Sequence, residues 1–375
     1  MSKTIVICAH NQNHHSFYEV LINFLCEANF TTTLISYQNI VKHISNTSQP
    51  NLHIVYLDET ASLSSAYQMH LEHINRHDIL IFDEYYENLY QKWLLKMHCD
   101  KNIYVIHNVN KWFKCVPSIN IKIYLKRLFK QFLISRFDAL MVVNPVLKNT
   151  IFDDFKWKKE VFLVPFSTLT DVEPSNQIAK SKNIVIPGSV DENRRNYAAI
   201  LNVFESFFAT YPHAEIKLVL LGSANNNSGK IIIDRCREIN LKHPGKVIYY
   251  ESYVSTDEFN LQLLQANYIL SNLVTKIKLD DVFETYGVTK ETGINYLILA
   301  NEKIAILPEF FADKVNYRSQ AVFYGSDNSL MDILINVEND SIDVSLLKNY
   351  ARANKIAFKK VIQQERSFLE KWLND

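Results

Sequence analysis

The stretch ETYGVTKETGINY (residues 284–296) holds two of the chain's seven glycines, Gly287 and Gly293, with Thr289, Lys290, Glu291 and Thr292 between them. Apolar Ile294, Leu297 and Ile298 follow at helical spacing, which predicts a loop and then a helix capped by Thr289. The first turn of a helix leaves N–H groups unpaired and carries roughly half a positive charge. Lys290 adds a full one, so an anion, phosphate above all, suits the position. Glu291 suits a neighbouring diol, because a carboxylate accepts hydrogen bonds from hydroxyls. A cap, a solvated lysine and a carboxylate on the helix dipole would account for the same residues.

A second stretch, IVIPGSVDENRRNYAAILNVFESF (184–207), reads as a strand, a turn at Gly188 and a helix whose start carries Arg194 and Arg195. Gly188 lets backbone approach a ligand closely. Two guanidinium forks match phosphate oxygens. Two phosphate-suited loops in one half of the chain point to a nucleotide diphosphate.

A third set lies in the first half. Asp83 and Glu84 follow the apolar run ILIF, and His107 and Asn108 follow IYVI, so all four are expected at strand ends. His10, Asn11, His14 and His15 follow the first run. A carboxylate or imidazole there could take a proton from a hydroxyl; Asp83 leads, with Glu84 and His107 behind it. His70, His73 and His77 share helical spacing, but no cysteine or carboxylate cluster accompanies them, so no metal site is expected. Asp280 and Asp281 are the only carboxylate pair just ahead of the 284–296 stretch.

The elements that must position these residues are legible as runs. KTIVICA (3–9), TTLIS, LHIVYL, DILIFD, NIYVIH, DALMVV and VFLVP alternate with helical segments in the first half. NIVIPG, IKLVLLG, KVIYYES, NYILSNL, KIAIL and AVFYG do so in the second. Continuous apolar runs suit strands buried on both faces, and the alternation predicts α/β, two doubly wound Rossmann-like domains facing across a cleft. The polar stretch STLTDVEPSNQIAKSK marks a linker at 167–182, between an N-terminal domain (1–166) and a C-terminal domain (183–350). A last helix, 351–375, is expected to pack back toward the N-terminal domain, burying Phe358, Ile362, Phe368, Leu369 and Trp372.

Composition narrows the class. Apolar residues are 47% and charged residues 21% of the 375, ordinary for a globular protein. Lys+Arg and Asp+Glu are each 40, which gives no reason to expect nucleic acid as a partner. Five scattered cysteines without C-x-x-C spacing read as reduced thiols of a cytoplasmic protein. The N-terminus reads as a strand and not a signal peptide, and no apolar run approaches a membrane span. From Lys101 to Phe137 there is no Asp or Glu, and INIKIYLKRLFKQFLISRF (119–137) interleaves basic with apolar residues. Such a helix suits an anionic membrane surface, here the inner face, and equally a packed helix with a solvated basic side.

PGSVDENRRNY, LVLLGS, the 247–273 segment and ETYGVTKETGINYLILANEKIAILPE together resemble the nucleotide-sugar-binding half of GT-B-fold glycosyltransferases of the kind that build bacterial cell-surface glycans. RFDALMVVNPVLKNTIF with VFLVPFS is similar to that family's exit from the acceptor domain. The resemblance implies that Arg195, helped by Arg194, neutralises the leaving diphosphate beside Gly188. It implies that Tyr253 and Val254 border the nucleobase and that Glu284 reaches the donor sugar. Thr289 and Lys290 would hold phosphates, and Glu291 the ribose. The large retaining families place seven residues between the two glutamates, and here Glu284 and Glu291 have six between them. The implied activity is polysaccharide biosynthesis: transfer of a sugar from a UDP- or GDP-sugar to a glycan or lipid-linked acceptor, with no bound cofactor. An epimerase or hydrolase of nucleotide sugars on the same fold, or a non-catalytic partner subunit, would share these features.

Overall fold

The computed structural model describes residues 3–84, 92–114, 120–167, 169, 182–279 and 281–375. It divides into two units. The first comprises Met1–Thr168, Lys278–Glu291 and Lys360–Asp375, and the second Leu169–Ile277 and Thr292–Lys359. Most of the 167–182 linker, Asp280 and Cys115 lie outside the described residues.

The first unit is built on seven strands: β1 (Thr4–Ala9), β2 (Thr31–Ser36), β3 (Leu52–Tyr56), β4 (Ile79–Phe82), β5 (Lys101–Ile106), β6 (Ala139–Val142) and β7 (Glu160–Leu163). Their order is β3-β2-β1-β4-β5-β6-β7, with every pairing parallel. β4 is buried along its whole length and β1 at all but its first residue, as continuous apolar runs require. Aromatic side chains fill much of this core, with Tyr18, Phe17, Tyr67, Tyr104 and Trp112 almost fully enclosed.

The second unit repeats the plan. β8 (Asn183–Pro187), β9 (Lys217–Leu221), β10 (Val247–Tyr249) and β11 (Tyr268–Leu270) come first in the chain. A two-stranded ribbon follows in the chain, β12 (Lys276–Leu279) and β13 (Val282–Thr285), of which β13 groups with the first unit; β14 (Ile304–Pro308) and β15 (Ala321–Tyr324) then complete the second. The main sheet runs β10-β9-β8-β11-β14-β15, again all parallel. Both sheets therefore reverse direction beside their first strand, at β1/β4 and at β8/β11. Open α/β sheets bind ligands just beyond the carboxyl ends of the strands at such a point.

Four sequence expectations are corrected here. The helix after the 284–296 loop runs Gly293–Ala300 and is capped by Thr292, not Thr289. Gly287, at φ +70°, closes a tight turn in which the N–H groups of Val288, Thr289 and Lys290 all bond the Thr285 carbonyl. That turn consumes the residues expected to begin the helix, and Lys278–Glu291 groups with the first unit instead of with the 183–350 segment. The last helix is longer than 351–375: it runs Val344–Asn374, and the residues from Lys360 onward group with the first unit. Along it, Phe358, Ile362 and Leu369 are buried as expected and Trp372 partly so, but Phe368 is exposed and Leu373 is enclosed in its place. Leu369 and Leu373 are four apart, on one face, and Phe368 falls beside it. Glu365 of this helix pairs with Lys148 at 2.7 Å and accepts the Leu163 N–H at 3.2 Å.

Candidate functional site

In the first unit the β1/β4 switch point gathers ionisable side chains out of water. The chain leaves β4 at Phe82, paired with Cys8 of β1, and the Asp83 N–H bonds the Cys8 carbonyl at 3.1 Å. Asp83 thereby faces the loop after β1. His14 Nδ1 lies 3.1 Å from its Oδ2, and His107 Nε2, just past β5, lies 3.2 Å from its Oδ1. Tyr18 donates its hydroxyl to the same carboxylate. All four side chains are buried. Burial alone would push the Asp83 carboxyl up, but the two imidazoles outweigh it and hold it well below the usual range. Burial, reinforced by His107, pushes His14 down. An ionised Asp83 only accepts hydrogen bonds, so each facing imidazole nitrogen carries a proton. A ring that is neutral then has its lone pair on the opposite nitrogen, Nε2 in His14 and Nδ1 in His107.

Glu84 is enclosed differently. It accepts the His107 N–H at 3.0 Å, the Asn108 amide at 3.0 Å and the Trp112 indole N–H at 2.7 Å, and Lys111 Nζ lies 3.4 Å away. Burial pushes its carboxyl up, but Lys111, His107 and these donors bring it below the usual value. A carboxylate whose oxygens are filled this way organises its surroundings and has no lone pair to offer a substrate.

The 284–291 segment joins the same network. Glu284 is fully buried and accepts the N–H groups of Asn110 at 3.3 Å and Lys111 at 2.7 Å, where the short Val109–Phe113 helix starts. Burial still raises its carboxyl above the ordinary value. The Thr289 carbonyl accepts the Val109 N–H at 2.8 Å, and its hydroxyl accepts the Thr285 N–H at 2.9 Å. Lys290 Nζ donates to Asn108 Oδ1 at 2.5 Å, and Asn144 donates its amide to Glu291. In this state Glu284, Thr289, Lys290 and Glu291 all hold protein partners. Sequence reading overlooked Tyr18, Trp112 and Asn144, and although it placed Asn108 at a strand end it paired neither Asn108 nor Lys111 with Glu84, since these partners lie far off in the chain.

His14, Asp83 and His107 present ligand atoms within 4.8 Å of one another, the residue types of a three-ligand metal site. Each of the two imidazoles also directs one ring nitrogen at the Asp83 carboxylate. The His70, His73 and His77 run forms no such cluster among the described residues. His77 directs its ring nitrogens to the His73 carbonyl at 3.0 Å and the Thr33 hydroxyl at 2.9 Å. Asp281 lies near Arg127, at 3.8 Å.

In the second unit the β8/β11 switch point has the opposite character. Gly188, at φ +96°, follows β8, and a Cβ there would meet Arg195 Nη2 at 2.7 Å. Gly222, after β9, packs so closely that a Cβ would lie 2.1 Å from the Gly188 carbonyl. The Arg195 guanidinium therefore lies against the glycine turn, only 7% exposed, with Nη1 3.4 Å from Asn272 Oδ1. Among the described residues, the Asn272 amide nitrogen and the Ser271 hydroxyl are buried with no hydrogen-bond partner. Arg194 departs from expectation in pointing outward, exposed, while its carbonyl accepts the Val274 N–H. The helix begins only after Asn196, at Tyr197, so both arginines belong to the turn before it. Val254 is buried and Tyr253 is 71% exposed between β10 and the Thr256–Gln265 helix.

Both faces of the Ile121–Ser135 helix are mixed, with Leu133 and Ile134 buried and Lys122 exposed. Arg127 and Lys130 are buried, and the outward face carries Ile121, Tyr124, Leu125, Leu128 and Phe132. No helix among the described residues is long and apolar enough to cross a membrane.

No protein-family model and no curated protein matches the sequence. Solved structures do match over almost the whole length. Sucrose-phosphate synthase from Thermosynechococcus elongatus superposes with a TM-score of 0.68 at 11% identity, covering 99% of each chain. A glycosyltransferase from Rickettsia africae gives 0.66 at 13% identity, covering 98% of this chain and 99% of its own. A UDP-forming α,α-trehalose-phosphate synthase from Burkholderia xenovorans gives 0.65 at 11% identity, covering 100% of this chain and 99% of its own. The fold, two doubly wound units with parallel sheets of seven and six strands, is the one these glycosyltransferases have.

Proposed function

We propose that the protein is a glycosyltransferase that moves a sugar from a nucleotide diphosphate donor, UDP- or GDP-linked, to a hydroxyl of a glycan or lipid-linked acceptor. The observation that carries this reading is the β8/β11 switch point. There, Arg195 lies against a glycine turn and 3.4 Å from Asn272 Oδ1, and among the described residues the buried Asn272 amide nitrogen and Ser271 hydroxyl have no hydrogen-bond partner. A buried polar group left unpaired costs about 1–3 kcal/mol, which a bound diphosphate or ribose would recover. Of the solved structures with this fold, one is called a glycosyltransferase and one a UDP-forming trehalose-phosphate synthase.

In this reading Arg195 and Lys290, with the N-terminus of the Gly293–Ala300 helix, stabilise the diphosphate as it departs. Preorganised cations act most strongly where charge develops in the transition state. Arg194 is an outer cation for the same phosphates, and Tyr253 with Val254 borders the base. Glu284 orders the Asn110 and Lys111 backbone in the resting state. Glu291 exchanges Asn144 for the ribose hydroxyls. The acceptor hydroxyl gives its proton to His14 or His107 as its oxygen attacks the anomeric carbon and the bond to the diphosphate breaks. Asp83 holds the imidazoles in the donating tautomer, and Glu84 holds His107 and Asn108. This moves the role of base from Asp83 to the histidines it orients.

The apolar outward face of the Ile121–Ser135 helix, flanked by exposed Lys122 and Arg136 in a stretch without acids, rests on an anionic membrane where the acceptor resides. Sedimentation with phosphatidylglycerol vesicles, lost in Leu125→Glu/Phe132→Glu, tests this part. For the donor site, transfer is assayed in Arg195→Ala and Lys290→Ala against UDP- and GDP-sugars. Wild-type rates in both variants would sink the assignment. Donor turnover without any acceptor would favour the epimerase or hydrolase alternative.

A further inference from the structure

His14 comes from the turn after β1, Asp83 from the end of β4 and His107 from the end of β5, and their ligand atoms converge within 4.8 Å of one another. None of the three residues is more than 8% exposed. His14 Nδ1 and His107 Nε2 stand 3.1 and 3.2 Å from the two oxygens of one carboxylate. Two ligand atoms about 2.1 Å from a tetrahedral ion are themselves about 3.4 Å apart, so both spacings come within a few tenths of an ångström of a coordination edge. The two imidazole centroids are only 3.8 Å apart, which brings both rings to the same point. Tyr18 donates its hydroxyl to Asp83 Oδ2, Phe166 meets both imidazoles edge-on, and Phe17 meets His107 the same way. A hydrogen-bonded ligand carboxylate inside an apolar shell is the surrounding that fixes ligands in metal sites.

Charge points the same way. Among the described residues no lysine or arginine pairs with Asp83; its charged contacts are the two histidines. Where both imidazoles are neutral, the cluster keeps one negative charge out of water, which is costly without a cation. Two imidazoles and one carboxylate are the donor set that first-row divalent ions take, zinc above all, with a fourth position left open. Magnesium and calcium prefer oxygen ligands. We propose that His14, Asp83 and His107 form a binding site for a divalent transition ion of the zinc type. In the ion-bound form the imidazole nitrogens that face Asp83 give their lone pairs to the ion, and each ring keeps its proton on the other nitrogen. No imidazole lone pair then remains for an acceptor's proton, so the ion inhibits sugar transfer. That consequence rests on the transferase reading; the binding itself does not.

Titration of the full chain with zinc(II), after EDTA treatment and in competition with a chromophoric chelator, tests the site. Tyr18→Phe removes only the hydrogen bond behind the carboxylate and should weaken zinc about tenfold or more. It keeps every ligand, which covers the case of a ligand variant that fails to fold. His14→Gln and His107→Gln should each weaken zinc further than Tyr18→Phe does. His43→Gln and His77→Gln, at histidines outside the cluster, should leave the affinity unchanged. Cobalt(II) in place of zinc should give visible bands without the near-ultraviolet thiolate band that cysteine ligation would add. Zinc should also inhibit transfer, with EDTA restoring the rate and magnesium having no such effect. Binding with this variant pattern but without inhibition would uphold the site and count against the histidines as the base, so the two readings fail separately. Zinc binding equal in wild type and the His14→Gln/His107→Gln double variant, a cobalt spectrum with the thiolate band, or no binding at all overturns the proposal.

Discussion

The two switch points have the same topology and opposite states of satisfaction. At β1/β4, Asp83 and Glu84 are buried, and hydroxyl, indole, imidazole and backbone donors fill their oxygens. At β8/β11, Arg195 bonds Tyr197 and lies 3.4 Å from Asn272 Oδ1, but among the described residues the buried Asn272 amide nitrogen and Ser271 hydroxyl have no hydrogen-bond partner. A saturated polar network rigidifies its surroundings, and a partly satisfied one is poised for a ligand. The first unit should therefore behave as a preformed acid–base centre whose disruption damages the fold. The second should behave as an open receptor whose disruption damages binding.

The sharpest way to break this contrast is Glu84→Gln. It removes the charge that pairs with buried Lys111, and breaking a buried ion pair costs about 3–5 kcal/mol. Urea unfolding should show a loss of that size. A change within error would mean that the first network is no more structural than the second. Arg195→Ala should do the reverse. Its unfolding midpoint should hardly move, while transfer falls on the order of a hundredfold, as when one preorganised donor is lost. In a thermal-shift experiment, UDP or GDP at a hundred times its dissociation constant should stabilise wild type by about 2.7 kcal/mol and Arg195→Ala far less. Equal shifts in both would place the nucleotide elsewhere. Gly188→Ala is milder and combines two faults, a left-handed φ and a Cβ 2.7 Å from Arg195 Nη2. It should weaken the nucleotide about tenfold, given strain on the order of 1–2 kcal/mol.

The same contrast explains what the sequence made legible. Strands declared themselves because parallel strands buried on both faces must be continuously apolar, as β4 and β11 are throughout and β1 and β8 are after their first residue. Gly188 and Arg195 stood out because a glycine turn and a cation adjoin in the chain. The β1/β4 centre was only half visible. Asp83, Glu84 and His107 could be placed at strand ends, but their partners His14, Tyr18 and Trp112 come from other segments, and pairing across a sheet leaves no local mark. The Thr289 cap misled because Thr292, three residues on, is an equally good cap, and only the turn at Gly287 decides between them. In the Ile121–Ser135 helix the interleaved pattern did not tell which residues turn inward: Arg127, Lys130, Leu133 and Ile134 are buried and Leu125, Leu128 and Phe132 exposed, a choice set by what packs against the helix.

Proton linkage gives the smallest effect and the finest test of the first centre. His14 is held below its ordinary value of 6.5, chiefly by burial and then by His107. The unfolded chain therefore takes up a proton at His14 as pH falls below about 6.5, and the folded chain does so only at lower pH. Stability must fall with pH across that window, by up to about 1.4 kcal/mol for each unit separating the two values. Asp83, held well below 3.8 by the imidazoles despite its burial, adds a second loss in the same direction, only at more acidic pH. His14→Gln should flatten the upper window and leave the lower one in place. If His14 is the base, transfer should also decline as pH drops through its lowered value and stay level above it. An acid limb that persists unchanged in the residual activity of His14→Gln would assign the proton transfer to His107, the other imidazole on the same carboxylate.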